Sequence, residues 1–116
     1  MKDPIYKIFT MFLAVLFLLL CSAGAFAQVK AMHFNAEWNE VNNVEWFGKL
    51  SDVDKDNMDI GVGDCQKKYA IAIVPTIVIF DDGEEVKRFQ ADLSFKMLAT
   101  KQEVQEYIDE LIISKF

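Results

Sequence analysis

The chain has 116 residues, 53% of them apolar, and carries 18 acidic against 12 basic groups, a net charge of −6. That length allows one small domain. The acidic balance argues against nucleic acid or an anionic membrane surface as a partner and says little about the fold.

Lys2 and Lys7 precede an apolar run from Ile8 to Leu20, and Ala25-Phe26-Ala27 stands just before Gln28. Charge, core length and small residues at the cut read as a secretory signal peptide over residues 1–27. The mature chain is then an exported, periplasmic or envelope-associated product starting at Gln28. One rival reading is an uncleaved membrane anchor, since Ile8 to Ala27 is about long enough to span a bilayer. Lipidation at Cys21 is a weaker rival, because Leu20 is not the small residue such signals place before the cysteine. Cleavage leaves residues 28–116 as the domain. The leader takes Lys2, Lys7 and Asp3, one net positive charge, so the domain carries −7. Cys65 is its one cysteine, so no disulfide framework is expected and stability must come from the apolar core.

Val29 to Ala36 reads as a short buried strand. Asn39 is a candidate N-cap for a helix carrying Val41, Val44, Phe47 and Leu50. Ser51 to Asn57 is polar and is expected to be a loop, with Met58 to Val62 a second strand. Asp64 is placed to cap a brief helix through Tyr69. Ile71 to Phe80 is apolar and β-branched, but a proline cannot donate to a central ladder, so its strand is expected from Thr76 on. Asp81-Asp82-Gly83-Glu84 marks a hairpin turn, and Glu85 to Ala91 its return strand. Thr100-Lys101-Gln102-Glu103 is a capping box opening a helix with Val104, Ile108, Leu111 and Ile112 on one face.

This order is β-α-β-α-β-β-α, an α/β arrangement with a parallel βαβ unit followed by a hairpin and a covering helix. Phe34-Asn35-Ala36-Glu37-Trp38-Asn39-Glu40-Val41-Asn42 resembles the thioredoxin segment Phe-Trp-Ala-Glu-Trp-Cys-Gly-Pro-Cys. Lys68-Tyr69-Ala70-Ile71, Val74-Pro75-Thr76 and Phe80-Asp81-Asp82-Gly83-Glu84 resemble further thioredoxin motifs in the same order. The resemblance covers nearly all of Val29 to Ile113. It implies a minimal thioredoxin-like fold, a four-stranded mixed sheet with flanking helices, lacking the family's extra N-terminal strand and helix. It also implies a cis peptide bond before Pro75 and a shallow binding groove formed by Trp38, Val74 and Pro75.

Asn39 and Asn42 occupy the two redox-cysteine positions. A carboxamide cannot attack a disulfide, because exchange needs a thiolate. No catalytic residue is therefore expected at these degenerate positions. His33 falls where the family often has a buried acid, and is read as a satisfied, half-buried histidine with no thiol to deprotonate. Cys65 is the remaining possible reactive thiol, at the start of a helix whose dipole can lower its pKa. The plainer reading is an incidental thiol without a resolving partner. Asp52 to Asn57 opens like a calcium loop but lacks glycine at the sixth position and glutamate at the twelfth. It is read as a solvated turn. No metal or cofactor motif is present in the sequence.

The leading expectation is an exported, redox-inactive thioredoxin-like module that holds an extended peptide or a partner protein. It would bind no nucleic acid, and would meet the membrane only if the leader is retained. The alternative is a thiol–disulfide oxidoreductase, serving cell redox homeostasis as a monothiol enzyme through Cys65. A third reading is a structural role in the envelope.

Overall fold

A computed structural model of the chain describes residues 28–116. The leader expected over residues 1–27, with its cut site and Cys21, lies outside the described residues. Four strands make one sheet: β1 Val29–Asn35, β2 Asp54–Asp59, β3 Thr76–Asp81 and β4 Glu84–Gln90. Their order across the sheet is β2-β1-β3-β4. β1 runs parallel to β2 and antiparallel to β3, and β3 runs antiparallel to β4, so the sheet is mixed as expected.

β1 shows why the sheet is covered on both sides. Successive side chains of a strand point to opposite faces. Val29 and Ala31 enter one core with Phe47, Leu50, Ile77, Ile79, Val104 and Ile108. Met32 and Phe34 enter the other with Cys65, Ile71, Val74 and Val78. α2, Lys101–Ile113, supplies Val104 and Ile108 to the first core. Leu111 and Ile112 pack against its margin. Burying each such side chain stabilises the fold by about 1.5–3 kcal/mol. The Thr100 hydroxyl accepts a hydrogen bond from the Glu103 backbone N–H at 3.2 Å, which fixes the start of α2 where the capping box placed it.

The hairpin also follows its sequence. Asp82 and Gly83 have φ of 56° and 81°, the left-handed conformation at both central positions that a two-residue turn with native strand twist requires. The bond between Val74 and Pro75 is cis, as the resemblance implied.

Two expectations are corrected. The helix anticipated after Asn39 is instead a pair of short 3-10 helices, Glu37–Asn42 and Glu45–Lys49, and the N-cap of the first is Ala36. Asn39 lies inside the first and interrupts it, at φ −110° and ψ 19°. Its side chain is engaged across the fold, and such competition with backbone hydrogen bonding disfavours helix interiors. Val41, expected on the buried face, is 93% exposed.

The second correction is β2. It begins at Asp54, inside the stretch read as a loop, and ends at Asp59, just after the expected strand begins. Five of its six residues are exposed, which hid it from a search for apolar runs. A charged edge strand of this kind resists edge-to-edge association. Lys30 on β1 pairs with Asp56 on β2 at 2.6 Å. Lys55 Nζ donates to the carbonyls of Gly48 and Leu50, tying β2 to the end of the second 3-10 helix. The acidic stretch Asp52 to Asn57, read as a solvated turn, thus lies mostly within this strand, from Asp54 on. The brief helix after Asp64, α1, spans Cys65–Lys68, but the Asp64 side chain makes no capping hydrogen bond.

Candidate functional site: a carboxamide network

The first 3-10 helix leaves the end of β1 and carries Trp38, Asn39 and Asn42 past the loop that ends at Pro75. Asn39 is 3% exposed. Its Nδ2 donates to Asn35 Oδ1 at 3.1 Å and to the Phe95 carbonyl at 3.2 Å, and lies 3.5 Å from the Val74 carbonyl. Its Oδ1 accepts from Asn42 Nδ2 at 2.8 Å. Asn35 Nδ2 in turn donates to the Asn39 carbonyl at 3.2 Å and to Asn43 Oδ1.

Four side-chain amides therefore form a chain, Asn43–Asn35–Asn39–Asn42. An amide offers two donors and an acceptor oxygen, and Asn39 uses both kinds. No member titrates or acts as a nucleophile. The network ties together β1, the first 3-10 helix, the proline loop and the segment after β4. Asn39 and Asn42 were singled out in the sequence, whereas Asn35 and Asn43 were not. The available signal was the density of asparagines between 35 and 43, since buried amides must find partners.

The segment after β4 was also missed. Asp92 Oδ1 accepts from the Ser94 backbone N–H at 2.8 Å, the Ser94 hydroxyl at 2.5 Å and the Lys96 backbone N–H at 3.2 Å. The Ser94 hydroxyl, then the Lys96 N–H, hold the Asp92 carboxyl below its usual pKa. This turn presents Phe95 at φ 65°, with its ring edge-on to Trp38 at 5.1 Å between centroids. Trp38 remains 65% exposed. Val74 and Pro75 are buried, so among the three expected groove residues Trp38 alone presents its side chain to solvent.

His33 is 5% exposed, more deeply placed than the half-buried position expected. Its ring packs on Phe47 at 5.3 Å, and Nδ1 lies 2.9 Å from Asn57 Oδ1. Nε2 is buried without a hydrogen-bond partner, so the ring is only half satisfied. Burial pushes its pKa down from 6.5, with the Asn57 hydrogen bond opposing.

Cys65 stands apart, in the core on the other face of the sheet, and is 8% exposed. Its pKa is raised, first by burial and then by Asp59, with Lys68 acting in the opposite sense. The lowering anticipated from the helix start does not prevail; α1 has only four residues.

No family model matches the sequence, and neither does any curated protein. Solved structures do resemble it. A mutant thioredoxin from Halobacterium salinarum is 22% identical, with a TM-score of 0.57 over 78% of this chain and 80% of that one. Fasciola hepatica thioredoxin is 20% identical, with a TM-score of 0.53 over 80% of this chain and 89% of that one. Thioredoxin 1 of Thermosipho africanus is 23% identical, with a TM-score of 0.54 over 75% of this chain and 99% of that one. The fold is thioredoxin-like, a four-stranded mixed sheet with helices.

Proposed function

We propose that this chain is an exported, redox-inactive thioredoxin-like module that binds an extended peptide or a partner protein beside Trp38. The observation that carries the reading is the amide network. Asn39 and Asn42 stand at the positions that resemble the dithiol, and Asn39 is hydrogen-bonded rather than exposed. A site of interlocked neutral amides has no thiolate to begin an exchange. The buried Cys65, with its raised pKa, supports the same conclusion against the monothiol alternative.

The binding surface would centre on Trp38 and Phe95, with Val41 and Leu93 also exposed. A large aromatic open to solvent and steadied by a second ring is the kind of anchor that dominates interfaces. Export rests on the leader at residues 1–27, and N-terminal sequencing of the secreted product is expected to begin at Gln28.

A peptide-array screen tests the binding. Trp38→Ala should weaken capture of the selected peptides at least tenfold, a typical hot-spot loss. Phe95→Ala should weaken it less. Trp38→Ala binding like the wild type, with its fold intact by circular dichroism, overturns the groove reading.

A further inference from the structure

Residues 92–96 bring Phe95 to Trp38, and one carboxylate fastens them. An isolated antiparallel bridge between Ala91 and Met97 closes the base of the turn. Inside it the Asp92 N–H donates to the Lys96 carbonyl at 2.9 Å, and the Phe95 N–H donates to the Asp92 carbonyl at 3.1 Å. The Asp92 side chain adds a second set of bonds. Its Oδ1 accepts from Ser94 and from Lys96, the residues on either side of Phe95.

Phe95 needs that fastening. Its φ of 65° is left-handed, a conformation that a bulky side chain holds only when its surroundings impose it. The β-carbon disfavours this region, so a loosened turn would return Phe95 to negative φ. Such a change would move both of its contacts at the site. One is the ring, edge-on to Trp38; the other is the carbonyl, which accepts from the Asn39 amide. Leu93, exposed beside them, belongs to the same turn. A contact surface set before its partner arrives loses less side-chain freedom on binding.

We infer that Asp92 is a positioning residue for the Trp38 surface: its carboxylate fixes the turn that presets the Phe95 ring against Trp38, and so raises affinity for a partner through Phe95. The inference rests on the groove reading and deepens it.

Two measurements on the purified protein test it: the nuclear Overhauser contact between the Trp38 and Phe95 rings, and affinity for the peptides that the wild type captures on the array. Asp92→Ala should lose the ring contact and weaken binding about threefold, the scale of immobilising a side chain anew. Asp92→Asn keeps an acceptor oxygen at the same place and should retain both. Ser94→Ala removes one of the bonds to Asp92 and should give a smaller loss in the same direction, which decides the matter if Asp92→Ala does not fold. In a Phe95→Ala background, Asp92→Ala should cost markedly less than in the wild type, because its effect runs through that ring. Thr100→Ala, a destabilising change on α2, should leave the ring contact and the affinity unchanged. The inference is overturned if a folded Asp92→Ala keeps both while Trp38→Ala loses binding, an outcome that leaves the groove reading standing. It is also overturned if Asp92→Ala costs as much without Phe95, or if Thr100→Ala reproduces its effects. Trp38→Ala binding like the wild type, or capture of no peptide by the wild type, removes the groove reading and this inference together.

Discussion

Asn39 concentrates the account in one side chain, because a single amide takes part in contacts to β1, the proline loop and the segment carrying Phe95. Removing it takes a donor from Asn35 Oδ1 and from the Phe95 carbonyl. Asn39→Ala should therefore lower unfolding free energy by about 1–3 kcal/mol, the cost of leaving buried polar groups unsatisfied. Asn42 is half-buried and donates to Asn39 alone, so Asn42→Ala should cost less than about 1 kcal/mol. Urea denaturation of both variants checks the ranking, and equal losses would contradict it. His33 sets a pH dependence. Its folded pKa lies below 6.5, so the unfolded chain binds a proton that the folded chain disfavours. Its contribution is fully present above the unfolded value near 6.5 and is lost as pH falls through the lower folded value. His33→Phe should flatten that decline in a urea series run from neutral to mildly acidic pH, and an unchanged slope would contradict the assignment. The sequence singled out Asn39, Asn42 and His33, but His33 lies deeper than expected, with Nε2 unpartnered. The partners of Asn39 were not legible, because Phe95 and Val74 lie far from it along the chain and no local pattern links them.

Elements whose cause is local were readable, and elements whose cause is tertiary were not. The Asp82-Gly83 turn and the Thr100 cap are set by residues within a few positions of each other. Both appear where the sequence put them. Thr100→Ala should cost about 1 kcal/mol. Thermal or urea unfolding measures this, and a neutral result would mean the cap adds nothing to α2. The helix after β1 failed as an expectation because apolar spacing describes only one face of a helix. Between Trp38 and Val44 the amides of Asn39, Asn42 and Asn43 bond to one another or to β1. Those bonds break the segment into two 3-10 pieces. β2 failed for the opposite reason. Its strand character comes from pairing with β1, with Lys30 opposite Asp54 and Phe34 opposite Met58, rather than from its own composition.

At the scale of the molecule, two apolar cores and a mixed sheet make a thioredoxin-like frame. The one described thiol sits in the core on the face away from His33, buried and held protonated. The overall order of strands and helices was legible from the chain because strand, turn and cap signals recur at the family's spacing. The segment that brings Phe95 against Trp38 was not, and it reshapes the expected groove into a surface dominated by two aromatic rings. The most direct test is insulin reduction by the purified protein in the presence of a dithiol reductant, with the wild type and Cys65→Ser side by side. The account predicts that both remain at the uncatalysed rate. Turnover above that rate which survives Cys65→Ser would contradict it.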